Sequence, residues 1–178
     1  IDEAMARLRG AVAPFAPAAL FQLANEGFAS PFEQLLACII SIRTLDETTL
    51  VSARRLFAKA RTPAELLELD LSEIDSLIHQ STFHESKAPQ MLEIARLIQE
   101  EYGGNLPCDF EVLTSFSGIG PKCANLVLGI ACKIPRVSVD VHVHRVTNRW
   151  GYVQTKSPEQ TMMALEKQLP QEYWIEIN

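Results

Sequence analysis

Helix starts recur along this chain with one chemical signature. Ser30-Pro31-Phe32-Glu33 and Thr62-Pro63-Ala64-Glu65 each place a hydroxyl residue before a proline, with a glutamate three residues after the hydroxyl. A Ser or Thr oxygen at that position accepts from an amide of the first turn, and the glutamate reaches back to the cap's own amide. Proline suits the first helical position, where its missing N–H is not needed. Ser72 is read as opening a further helix in the same form, and Ser157-Pro158 another. A chain restarted this often builds its core from short helices packed on one another. The fold class expected is all-α.

The stretches between these starts carry helical periodicity. Leu50, Ala53, Leu56, Phe57 and Ala60 form one stripe at 3–4 spacing, and Met91, Leu92, Ala95, Leu97 and Ile98 another that stops at Gly103-Gly104. "DFEVLTSF" predicts a short helix, and "PQEYWIEIN" predicts the start of one from Pro170, with the chain breaking off inside it. No apolar run approaches the roughly 20 residues that span a bilayer. The opening "IDEAMARLRG" lacks a signal peptide's apolar run, and the missing initiator Met suggests a trimmed start. A soluble, cytoplasmic monomer without a membrane partner is the expectation.

The 178 residues carry a formal charge of -6, unevenly placed. Eleven acids and two bases lie between Thr62 and Glu111, whereas Gly118 to Arg149 holds five bases (Lys122, Lys133, Arg136, Arg145, Arg149) and only Asp140 as an acid. Screening confines a charge's field to about 8–10 Å, so a locally basic face can bind phosphates on an acidic protein. A chance fluctuation is the plainer explanation. The four cysteines (Cys38, Cys108, Cys123, Cys132) show no zinc spacing. Cys38, Cys123 and Cys132 lie in apolar, helix-like stretches and are expected as buried thiols, with Cys108 in a loop.

Two stretches carry chemistry. In "FSGIGPKCANLVLG", an apolar segment, a Gly-x-Gly turn and a Pro-led helix read as a helix–hairpin–helix, whose amides and helix N-terminus can point at a phosphate. Lys122 sits in the first turn of the second helix, where the dipole disfavours a cation. The helix end and apolar neighbours both favour the neutral amine, which is a nucleophile able to form a Schiff base with a sugar aldehyde. A phosphate-binding or merely solvated lysine is the competing role. "RVSVDVHVH" admits two readings. As a strand it would set Asp140, His142 and His144 on one face, a possible metal site. As a helix start, Asp140 caps a stripe of Val143, Val146 and Trp150, the reading favoured by its helical surroundings. Asp140 is then a cap, a carboxylate partner for Lys122, or both.

Together, "FSGIGPKCANLVLG" and "VSVDVHVHRVTNR" resemble the endonuclease III family of base-excision DNA glycosylases, and the likeness runs from "SPFEQLLACIIS" to "EYWIEIN". The resemblance implies two all-α lobes with a DNA-binding cleft between them: a helical barrel over 28–134 that contains the hairpin, and a second domain from 1–27 plus 135–178. It implies excision of oxidised pyrimidines of the thymine glycol type from damaged double-stranded DNA, followed by β-elimination. Lys122 would be the Schiff-base nucleophile and Asp140 its carboxylate partner. Gly118, Ile119 and Gly120 would hold a DNA phosphate, with Arg145 on the same substrate and Ser41, Asp46 and His142 about the lesion pocket. Phe83 matches the intercalating wedge, where Leu is common. Arg43 replaces a usual Gln and His84 a usual Tyr, which bears on lesion and opposite-base preference. The family's [4Fe–4S] cluster would sit on cysteines beyond Asn178, so no cofactor or metal is expected on these residues, and a native chain that continues past Asn178 is. Rival readings are the related adenine glycosylases, which lack a lysine at the Lys122 position, a non-catalytic hairpin DNA-binding module, and a metalloenzyme on Asp140, His142 and His144.

Overall fold

The computed structural model describes residues 1–178 and contains only helices as regular structure. In chain order these are α1 (Asp2–Val12), α2 (Ala19–Asn25), α3 (Pro31–Ser41), α4 (Asp46–Phe57), α5 (Pro63–Leu67), α6 (Leu71–Ile78), α7 (His84–Tyr102), α8 (Phe110–Ser115), α9 (Pro121–Ile130), α10 (Val141–Arg149) and α11 (Pro158–Gln168), closed by a 3₁₀ turn at Gln171–Tyr173. The capping logic holds at three of the four Ser or Thr starts read from the sequence. The Ser30 hydroxyl accepts from the Glu33 amide at 3.2 Å while Glu33 Oε2 accepts from the Ser30 amide at 2.9 Å. Thr62 and Glu65 repeat that reciprocal pair at α5, and Ser157 caps α11.

Two boundaries differ from the sequence reading, at α6 and at the C-terminal segment. Helix α6 begins at Leu71, with Asp70 at the cap position and Ser72 already inside the first turn. Asp70 has the extended backbone that a cap needs (φ -71°, ψ 150°), so the helix starts ahead of the serine. Helix α7 begins at His84, which places Pro89 inside it. The predicted C-terminal helix is only the single 3₁₀ turn, followed by further turns. Tertiary contacts decide that segment: the Arg9 guanidinium of α1 donates twice to the Glu176 carboxylate at 2.6 Å, and the Ile175 side chain lies against Gly129 of α9.

Two apolar clusters organise the chain. The larger joins α2 to α9 through residues such as Leu35, Ile39, Leu56, Ile78 and Met91. The smaller joins Met5 of α1 to Val137, Val139, Val143, Val153, Leu165, Leu169 and Tyr173. Helix α9 is buried at every position from Cys123 to Ile130. Part of its surface completes the larger cluster, while Asn125 donates to the Val137 carbonyl (2.8 Å) and Gly129 meets Ile175 on the side of the smaller one. Contact on both sides explains why this helix is apolar nearly all round. No helix is long and apolar enough to cross a membrane.

Cys38 and Cys123 are buried free thiols, but Cys132 is not. It falls just past α9, half-buried, and forms a disulfide with the exposed Cys108. Its apolar stretch ends where α9 ends, and the turn beyond carries the side chain to the surface. The bridge closes a loop of 24 residues that holds α8, the Gly-x-Gly turn and α9. Constraining a loop of that size in the unfolded chain stabilises the native state by about 3.5 kcal/mol in the chain-entropy description. Cys108→Ser is therefore expected to lower the melting midpoint by about 10 °C. Reductant should lower the wild-type midpoint to the same value and leave the variant's unchanged. Equal midpoints without reductant would mean that the bridge adds no stability.

Candidate active site

The segment 133–140 has no regular structure, yet it is held closely against α9. Besides the bond from Asn125 to Val137, Ser138 Oγ donates to the carbonyl of Lys122 at 3.2 Å. Asp140 thus arrives beside the start of α9 and there opens α10. Its two oxygens divide the work. Oδ1 accepts from the amides of His142 (2.8 Å) and Val143 (2.9 Å), which fixes the carboxylate as the helix cap. Oδ2 lies 3.9 Å from Lys122 Nζ. The helical reading of "DVHVH" is the one the fold adopts. His144 points away from this pair, with its Nδ1 2.6 Å from Thr161 Oγ1. Asp140, His142 and His144 therefore do not converge, and no cluster of His, Cys, Asp or Glu could hold a metal ion.

Lys122 and Asp140 line a cleft of about 370 Å³ together with Ser41, Asp46 and His142. All five residues assigned to chemistry or to the lesion pocket thus meet in one place. Its remaining walls include Ala18, Ala19, Leu20 and Phe21, Thr44, Leu126 and Asn178. Asp46 also braces the wall, because its Oδ2 accepts from the Ala19 amide at 2.9 Å and ties α2 to the start of α4. Ser41 donates its hydroxyl back to the Cys38 carbonyl at 2.8 Å. The apolar enclosure expected around the Lys122 amine is absent: its side chain is 49% exposed. The helix buries its other faces, and the first turn opens into the cleft, so water reaches the amine. Placement beside Asp140 is what the fold supplies.

The Gly-x-Gly turn joins α8 to α9 as a hairpin. The Ile119 amide donates to the Phe116 carbonyl at 3.1 Å, and both side chains are buried beneath the turn. The amides of Gly118, Gly120 and Lys122 have no acceptor within the protein, so they are free to donate to an anion at the N-terminus of α9. Gly118 has φ 79°, a left-handed conformation that favours glycine, and an added Cβ would meet Gln90 Nε2 at 2.7 Å. Gln90 Nε2 donates to the Ser117 carbonyl at 2.7 Å and so anchors the hairpin to α7. Gln90, Asn125 and Ser138 all position this site, and none stood out in the sequence. Each acts on a backbone carbonyl far from it in the chain, and such a contact leaves no motif.

Arg43 and Phe83 meet on a second rim. The guanidinium carbon lies 5.7 Å from the phenyl centroid, Phe83 is 55% exposed, and both residues have positive φ (54° and 60°). His84 stands apart from them, its Nδ1 2.6 Å from Asp75 Oδ1. Arg145 on α10 is exposed, with Nη2 3.5 Å from His142 Nδ1, outside the cleft wall. The five bases do not form one face. Arg136 stacks on Phe110 at the start of α8, and Lys133 donates to Ile130 at the end of α9, at the opposite end of that helix from the hairpin.

Comparison with known proteins fits this arrangement. Residues 36–171 match the family described as HhH-GPD superfamily base excision DNA repair protein. The endonuclease III of Thermotoga maritima is 41% identical over 154 residues, which cover 86% of this chain and 72% of that protein. This chain belongs to the endonuclease III family. By that membership it is a base-excision DNA repair enzyme, a DNA glycosylase and AP lyase. Bovine endonuclease III-like protein 1 is 37% identical over 150 residues, 83% of this chain but 49% of its own length, so the chain spans about half of that relative. A solved endonuclease III, trapped as a covalent intermediate with DNA, matches with a TM-score of 0.77 at 31% identity over 83% of this chain and 70% of that one. The family's iron–sulfur cluster finds no fit among these residues: two cysteines are bonded to each other, and the other two are buried thiols away from any third ligand.

Proposed function

We propose that this enzyme flips an oxidised pyrimidine nucleotide of the thymine glycol type out of duplex DNA into the Lys122–Asp140 cleft, releases the base and then cuts the strand. The observation that carries the reading is the 3.9 Å approach of Lys122 Nζ to Asp140 Oδ2 on the wall of a cleft of about 370 Å³. That volume lies in the ~300–1,000 Å³ range of small-ligand pockets. In this scheme Asp140 accepts a proton from the Lys122 ammonium, and the amine attacks C1′ as the bond to the base breaks, the base leaving with the bonding pair and taking a proton from water. Ring opening yields an iminium between Nζ and C1′. Water in the open cleft then takes a C2′ proton, a C2′–C3′ double bond forms as the 3′ phosphate leaves with the C3′–O pair, and hydrolysis of the imine frees Lys122. Asp140 also opposes the positive charge that develops on the sugar.

The hairpin amides would hold the phosphate that fixes the backbone, and Phe83 with Arg43 would fill the gap in the stack. An apolar wedge offsets part of an unstacking cost of a few kcal/mol. The enzyme works as a monomer in this scheme, and none of its steps uses a divalent metal.

The test is a duplex with one thymine glycol, assayed separately for free base and for strand cuts, with chelator present. Both products are expected, and the cut should carry the unsaturated 3′ sugar of β-elimination. Binding without either product would mean that thymine glycol is not the lesion this enzyme excises. Loss of both products in chelator alone would overturn the metal-free lysine scheme.

A further inference from the structure

Lys87 is 4% exposed, and no carboxylate lies within ion-pair distance of it. Its ammonium donates to the carbonyls of Ile40 (2.7 Å) and Ile42 (2.9 Å) and to Thr44 Oγ1 (3.2 Å). Burial draws it down to about 8. These acceptors surround the C-terminal end of α3, where the helix dipole and the unpaired carbonyls favour a cation. Even so, a charge removed from water among neutral partners is a costly way to fill space, and an apolar side chain of equal length would often do as well for stability alone.

The position of those acceptors suggests what the charge secures. Ile42 and Thr44 flank Arg43, and Thr44 Oγ1 also accepts from the amide of Thr82 at 3.1 Å, next to Phe83. The Lys87 amide in turn donates to the Phe83 carbonyl at 3.1 Å. The side chain therefore holds the Arg43 loop directly and reaches the Phe83 loop through the shared Thr44 hydroxyl. Arg43 and Phe83 are two of only three non-glycine residues with positive φ. Such backbone persists only where the surroundings over-determine it.

We infer that Lys87 is a positioning residue for entry into the duplex: it locks the Arg43 loop to the Phe83 loop so that the stacked pair inserts as one unit. The inference rests on the proposed flipping of a nucleotide into the cleft. It adds that the register of the wedge is set from beneath, by a residue that touches no DNA.

The experiment compares wild type with Lys87→Met, an apolar side chain of similar length. One readout is borohydride capture on a duplex with one abasic site and on the same abasic strand unpaired. The other is the fluorescence of 2-aminopurine placed opposite the abasic site, which brightens when its stacking is broken and needs no chemistry. Lys87→Met is expected to slow duplex capture on the order of 10- to 100-fold, as for a misplaced positioning group, while single-strand capture stays within about twofold. The brightening should be lost at saturating protein. In a Phe83→Ala background, Lys87→Met should cost less than about twofold further, because coupled sites are not additive.

Equal losses on duplex and single strand, full brightening, or full additivity with Phe83→Ala would reduce Lys87 to a helix cap and overturn the inference. If Lys87→Met does not fold, Lys87→Gln keeps a donor for the nearby carbonyls, carries no charge and gives up the reach to Thr44 Oγ1. It should show the same duplex-only loss to a smaller degree, and unaltered duplex capture and brightening would overturn the inference. Wild type that brightens the probe without capture would discard the proposed Schiff-base step and leave the role of Lys87 standing.

Discussion

Lys122→Ala should leave no covalent band when borohydride is added to the protein on an abasic duplex, and strand cutting should fall to the uncatalysed background. The loss is complete because the amine is the atom that bonds to C1′ in the proposed scheme, and a methyl group offers no substitute. The variant should fold at least as well as wild type. The only charged partner of Nζ is Asp140, the side chain is half exposed, and a cation in a first turn works against the helix dipole by about 0.3–1 kcal/mol. Alanine also extends a helix well. Binding to the abasic duplex should persist, because the Gly118 and Gly120 amides are untouched. Trapping, thermal melting and duplex binding on the same preparation check all three points. A retained band would place the reactive amine elsewhere. A band lost together with binding would assign Lys122 to phosphate contact instead.

The second large effect separates the two roles of Asp140. Asp140→Asn keeps an oxygen where Oδ1 accepts from His142 and Val143, and Asn caps a helix about as well as Asp. What it removes is the charge and the proton acceptor at Oδ2, 3.9 Å from the amine. Base release and Schiff-base formation should slow by about 10²–10⁴-fold, the usual worth of a positioned acid–base group, with the melting midpoint near that of wild type. Asp140→Ala should show the same chemical loss and also about 1 kcal/mol of lost stability from the missing cap. Single-turnover rates and thermal melts of the pair decide. Unchanged rates in Asp140→Asn would leave the carboxylate as a cap and nothing more.

Much of this molecule is written locally in the chain. Capping boxes at Ser30 and Thr62, the hairpin glycine at Gly118 and the cap at Asp140 each depend on a few neighbouring residues, and local hydrogen bonding and allowed φ are sufficient to specify them. So too is the identity of the chemical pair, because a lysine after Gly-x-Gly-Pro and an Asp eighteen residues later form a motif. Tertiary structure decided where that pair faces and what holds it. Burial of α9 from both sides leaves its first turn at the cleft, so Lys122 is wet where its sequence neighbours suggested an apolar setting. The pairing of Cys108 with Cys132 depends on two chain turns meeting in space, and their spacing in sequence does not signal it. Lys87 and Gln90 read as ordinary polar positions on a long helix. Their roles come from carbonyls 27 to 47 residues away, and a backbone carbonyl is the same group in every residue, so only the folded chain shows which one a side chain meets.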